Sequence, residues 1–201
     1  MSDENFKRFI NLPPNAKKVI AVTGKARSGK DTIGDFLEQT HLYSKFSFAY
    51  PIRQIAKIAL NLSDKQVYDD AFKNRPLPNY HDITVRKALQ LIGTEMFRDM
   101  IDKDIWCKNL IHRTRSCSNN LIVITDMRFP NEQDALREHY GDHCFFLKVV
   151  RDGCDGNVGV SNHESEAYDL ECDRTVANHS EDKDILYGQL HDLIHEINFH
   201  D

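Results

Sequence analysis

Apolar residues gather along this chain in short runs, separated by stretches of mixed polarity. Val19-Ile20-Ala21-Val22 and Leu121-Ile122-Val123-Ile124 are continuously apolar, the pattern of strands covered on both faces. Further apolar groupings predict strands over 46–48, 144–150 and 175–177. Helical spacing predicts helices over 30–39, 51–60, 84–99, 103–115, 131–140 and 182–197, with Pro51 suited to a first turn. The polar stretch 63–82, with Pro76 and Pro78, reads as a loop with little regular structure.

Strands alternating with helices imply an α/β fold with a parallel sheet of about five strands and right-handed crossovers. Ligands of such sheets sit at the carboxyl ends of the strands. That rule puts Gly24, Asp126, Arg151 and Asn178 on one rim, since each ends a predicted strand. Residues 1–16, closing with Pro13-Pro14, read as an extended arm outside the core, and 17–201 as one domain.

The segment Gly24-Lys25-Ala26-Arg27-Ser28-Gly29-Lys30-Asp31-Thr32 joins a predicted strand to a predicted helix with the spacing GxxxxGK. In that context the spacing is a phosphate loop. Its glycines let backbone N–H groups point inward, the helix start adds a positive dipole end, and Lys30 adds a compact cation. The pattern usually continues with Ser or Thr as a magnesium ligand; here Asp31 stands there and Thr32 follows. Asp31 then either meets the metal or orders a metal-bound water, with Thr32 serving the α-phosphate. Asp126 stands where phosphate-loop enzymes place a second acidic metal partner, although an Asp there also serves simply to end a strand.

Arg128, two residues on, can clamp a phosphate in two-point fashion. Asn131 reads as a cap of the next helix. Arg53 and Arg98 adjoin other motifs, and Arg151 precedes a glycine-bearing stretch whose hinges would suit a lid over about 152–170. Trp106 is equally a core residue and a base-stacking candidate. His191 and His195 fit an exposed helix face better than a metal site, since no third ligand is evident.

Composition narrows the classes. Of 201 residues, 40% are apolar and 28% charged, an ordinary mixture for a domain with a core. The formal charge of −5 argues against a nucleic acid as the main partner. No run reaches the roughly 18 apolar residues of a membrane span, and the first residues do not read as a targeting segment. Five scattered cysteines without a CxxC pair argue against a disulfide framework and fit a reducing cytoplasm.

The segments GKARSGKDT, PIRQIAKIAL, QLIGTEMFRDMIDKDIWCKNL, TDMRFPNEQDA and VVRDG with SNHESE together resemble the deoxynucleoside monophosphate kinases of tailed bacteriophages, from about Val19 to Ile197. The resemblance implies the nucleoside monophosphate kinase fold, with a monophosphate-binding region over about 50–115 and a lid. It implies transfer of the ATP γ-phosphoryl group to a dNMP with Mg²⁺, in the host cytoplasm, and admits a homodimer. On it, Lys30 and the loop hold ATP, and Asn178 lies by the adenine ring. Arg53, Arg98 and Arg128, with Trp106, serve the acceptor; Arg151 is a lid arginine; Asp31 and Asp126 serve the metal. The segment 63–82 is shorter than the phage enzymes' insertion there. Two other readings stay open: a phosphate-loop kinase of a small alcohol or of a non-nucleotide phosphate such as phosphomevalonate, and a module that binds ATP without catalysis.

Overall fold

The computed structural model describes residues 4, 7, 9, 16–151, 168–179 and 183–198. Most of the expected lid, including His163 to Glu166, lies outside them. The chain forms two compact units, one of residues 1–47 with 110–201 and one of residues 48–109.

The first unit is built on β1 (Lys18–Thr23), β2 (Ser44–Phe46), β5 (Leu121–Met127), β6 (Cys144–Val150) and β7 (Arg174–Ala177). They form one five-stranded sheet in the order β2-β5-β1-β6-β7, and each neighbouring pair is parallel. Every residue of β1 is buried, as its unbroken apolar run requires of a central parallel strand. The helices α1 (Lys30–His41), α7 (Pro130–Tyr140) and α8 (Lys183–Asn198) belong to this unit. Ile33, Phe36 and Leu37 of α1 join Ile20, Val22 and Leu147 of the sheet and Leu186, Leu190 and Ile194 of α8 in one core.

Phe9 corrects the reading of residues 1–16 as an arm outside the core. Its side chain is buried in that cluster, with its ring centroid 5.5 Å from that of Phe145. His191 and His195 are exposed on α8, as expected, and the His191 ring packs edge-on against Phe36 at 4.9 Å and lies 5.2 Å from that of His41. Burial, then the neighbouring His191, holds the pKa of His41 below the ordinary histidine value.

The second unit contains α2 (Tyr50–Leu60), α3 (Asp64–Tyr68), α4 (Asp70–Lys73), the antiparallel pair β3 (Pro76–Leu77) and β4 (Tyr80–Thr84), and α5 (Val85–Gln90). The expected loop over 63–82 therefore carries regular structure. Ser63 caps α3 by accepting from the Gln66 N–H, while Gln66 Oε1 accepts from the Ser63 N–H at 2.9 Å. Asn79, at φ 66°, completes the turn after Pro78, the residue pair that a type II turn favours. The unit has its own apolar cluster, with Ala56, Leu62, Val67, Leu77, Val85, Ala88 and Ile92.

After α5 the helix continues as a π-helix over Leu91–Asp99, where the apolar pattern predicts an ordinary helix. Gly93 O accepts from Trp106 Nε1 at 2.7 Å. Helix α6 (Ile105–Arg115) follows.

Candidate active site

The first unit gathers the chemistry at the carboxyl ends of its strands. Gly24 follows β1, Arg151 follows β6 and Asn178 follows β7, while Asp126 is the last residue but one of β5. β1 lies between β5 and β6, so the loop that leaves it sits at the middle of the sheet, where the strand order reverses.

Residues 24–29 turn tightly into α1. Gly24 has φ 149°, Arg27 φ 62° and Gly29 φ 110°, values that favour glycine and strain an arginine. A Cβ on Gly24 would lie 2.4 Å from Val149 O, and one on Gly29 2.3 Å from Asn178 Nδ2. Both glycines are thus required by packing against β6 and the end of β7. Lys30 is buried, and its Nζ donates to Gly24 O at 2.6 Å and to Lys25 O at 2.7 Å, so the ammonium bridges the loop from within. Ser28 Oγ is buried with no hydrogen-bond partner among the described residues. Buried hydroxyls are rarely left so, and one inside a phosphate loop fits a site that takes an oxygen-rich ligand.

Asn178 is buried beside the loop. Its Nδ2 donates to Ser28 O at 2.7 Å, and its N–H donates to Val150 O at 2.8 Å. Arg151 Nη1 donates to Arg27 O at 3.3 Å.

Asp31 opens α1 with its side chain 82% exposed, open to a hydrated cation. Thr125 Oγ1 donates to Asp31 Oδ1 at 3.2 Å, and Lys45 Nζ lies 3.5 Å from the same oxygen. The register of β1 against β5 slips between Ala21 and Thr23, where β5 carries one residue more. That bulge falls at Thr125 and Asp126, and bulges of this kind re-aim side chains beside sites. Mg²⁺ is commonly held by one or two carboxylates together with substrate phosphates, and the carboxylates of Asp31 and Asp126 fit that donor set.

Glu132 was not singled out by the sequence, although Pro130 at the helix start with Glu two residues later is a capping pattern. It is buried, and its Oε2 accepts from the N–H of Arg128 at 2.7 Å and of Phe129 at 3.0 Å. It therefore pins the backbone that carries Arg128. Burial pushes its pKa up to about 7, against the pull of those two N–H groups.

A cavity of about 410 Å³ opens beside α1 and α8, lined by Thr32, Asp35, Phe36, Lys183 and Tyr187 among others. In the second unit, the Arg53 guanidinium stacks over the Tyr68 ring at 4.8 Å, and Arg98 is carried by the π-helix. Trp106 is buried, with its ring 5.2 Å from that of Phe97 and its N–H spent on Gly93. The structure accounts for it as a packing residue of that unit.

Loop, sheet order and helix start together define a P-loop phosphotransferase. The model of the deoxynucleotide monophosphate kinase family matches residues 18–77 and 70–181, and the chain belongs to that family. A protein of Acanthamoeba polyphaga mimivirus provisionally named a deoxynucleotide monophosphate kinase is 30% identical over 151 residues, covering 67% of this chain and 75% of that one. The deoxynucleoside-5'-monophosphate kinase of Escherichia phage T5 is 26% identical over 179 residues, 60% of this chain and 72% of its own. In fold, the chain is similar to TT1252 of Thermus thermophilus, with a TM-score of 0.50 at 13% identity over 90% of this chain and 98% of that one. Family and fold agree with the expected nucleoside monophosphate kinase architecture.

Proposed function

We propose that this chain transfers the γ-phosphoryl group of ATP to a deoxynucleoside monophosphate, giving ADP and the deoxynucleoside diphosphate. The observation that carries the reading is the loop: a buried lysine bridging it and, just before α1, a buried serine hydroxyl with no hydrogen-bond partner among the described residues, in a chain of this family.

The N–H groups of residues 24–32 and the Lys30 ammonium hold the donor's phosphates, with Lys30 drawn from its carbonyl partners onto the transferred group. Arg27, Lys25 and Thr32 serve the same polyphosphate. The cavity beside Thr32 is of a size that holds a nucleoside. Asp31 and Asp126 would hold Mg²⁺, which would neutralise charge on the polyphosphate. Arg128, its backbone pinned by Glu132, is the first unit's candidate for the acceptor phosphate. Arg53 and Arg98 are proposed for the acceptor from the family resemblance, and Arg151 as a cation for the transferred group.

An acceptor phosphate oxygen is already anionic at neutral pH, so it attacks the γ-phosphorus without a general base. The bond from that phosphorus to the β,γ-bridging oxygen breaks, and ADP leaves. Catalysis is then positioning and charge neutralisation. A panel of deoxynucleoside monophosphates assayed with ATP, scoring diphosphate and ADP separately, tests the reading. We expect equal amounts of both with at least one member. ADP formed only with an alcohol or a non-nucleotide phosphate would replace it with the rival kinase reading.

A further inference from the structure

The residue after Lys30 is a carboxylate, and its hydroxyl partner stands on the strand: Thr125 Oγ1 donates to Asp31 Oδ1 at 3.2 Å. Phosphate-loop enzymes usually have the hydroxyl on the loop and the carboxylate on the strand. The loop of this chain therefore starts its helix with a negative charge beside the place proposed for a polyanion. A second carboxylate, Asp35, follows one turn later on α1. Like charges at that spacing repel each other, and both oppose the binding of phosphates.

One cation answers both. Lys45 Nζ lies 2.7 Å from Asp35 Oδ1 and 3.5 Å from Asp31 Oδ1. Its seat is built into the fold. Lys45 comes from the edge strand β2, and its stem passes over Gly34, where a Cβ would lie 3.0 Å from Lys45 Cε and 2.3 Å from Thr125 Cγ2. Only a residue without a side chain lets the lysine stem and the Thr125 methyl share that point of α1.

We propose that Lys45 is a resident counter-cation of the donor site: it neutralises Asp31 and so sets how far nucleotide binding depends on a divalent cation. Lys45 is a positioning residue that acts through Asp31. The proposal rests on the donor-site reading above. An ordinary exposed ion pair would tie β2 to α1 and contribute little else; the counter-cation role adds a dependence that such a tie does not produce.

The experiment measures the Kd of ATP for the full chain at low salt, once with excess EDTA and once with Mg²⁺, and takes the ratio of the two. Lys45→Met keeps the stem and removes the charge. It is expected to weaken metal-free ATP binding more than binding with Mg²⁺, raising the ratio about threefold or more, near the upper reach of a partly exposed pair. Lys45→Arg keeps the charge and is expected to hold the wild-type ratio. Asp31→Asn, with Lys45 in place, is expected to lower it. A ratio for Lys45→Met within about 1.5-fold of wild type overturns the proposal, and so does a Lys45→Arg variant that shifts as far as Lys45→Met. Should Lys45→Met not fold, Lys45→Gln, which also removes the charge, takes its place with the same two outcomes. Wild type that binds no ATP in either condition has a different signature, since it removes the donor-site reading and the Lys45 role with it.

Discussion

The side-chain amide of Asn178 donates to Ser28 O at 2.7 Å, tying the residue after β7 to the phosphate loop 150 positions earlier. The same amide fills the space where a side chain on Gly29 would stand. Asn178 therefore holds the loop in shape, and a role toward the adenine ring would come in addition. Asn178→Leu removes the donor while keeping a comparable volume. It is expected to lower stability by about 1–3 kcal/mol, the cost of stranding a buried carbonyl, and to weaken ATP binding together with it. Thermal unfolding and ATP titration of the same variant check this. Intact stability with lost ATP affinity would point to direct ligand contact instead.

Lys30 donates to two carbonyls of its own loop. Lys30→Met is expected to lower kcat by about 10²–10³, the usual loss of one transition-state donor, with a smaller change in the KM for the acceptor. Steady-state kinetics, with circular dichroism to confirm the fold, gives the comparison.

Trp106 separates packing from recognition. Trp106→Phe deletes the N–H donated to Gly93 O and leaves a ring to pack on Phe97. We expect a loss of about 1–2 kcal/mol in stability with the KM for the deoxynucleoside monophosphate within about twofold of wild type. Denaturant unfolding and kinetics on one preparation test it. A raised KM at unchanged stability would restore the base-stacking role.

Glu132 gives a pH signature. Its folded pKa stands at about 7, above the ordinary 4.5. The folded state thus binds the proton more tightly than the unfolded chain does, and this residue's contribution to stability falls as pH rises from 4.5 to 7, then levels off. Glu132→Gln keeps an acceptor for the N–H groups of Arg128 and Phe129 and removes the titration. The difference in melting temperature, variant minus wild type, is expected to grow more positive across that window. A difference that is flat with pH would show that Glu132 does not titrate there.

The sheet and the loop were legible because their signals are local. Continuous apolar runs marked β1, β5 and β6, and glycine spacing between a strand and a helix marked the phosphate loop. The helices and hairpin of 63–82 were missed because prolines and polar residues masked them, although Ser63 with Gln66, and Pro78 with Asn79, are the cap and turn that organise the segment. The π-helix was not legible, since it is accompanied by a long-range contact, Trp106 to Gly93, and by Gly93 packing within 3.0 Å of Ile52 in its missing side chain's place. Phe9 was missed because the prolines and mixed charge of its segment read as an arm, while its burial comes from partners such as Phe145 that lie far along the chain. Among the candidate site residues, Lys30, Asn178 and Arg151 meet at the loop through its backbone carbonyls, which spacing alone does not specify.

Direct transfer from donor to acceptor, the core of the proposed function, is checked by a rapid-quench experiment with ATP labelled in its γ-phosphate. With a deoxynucleoside monophosphate present, label is expected in the deoxynucleoside diphosphate, matching the ADP released, and Lys30→Met should suppress both together. Label recovered only as inorganic phosphate, or ADP released with no labelled diphosphate, would rule out direct transfer.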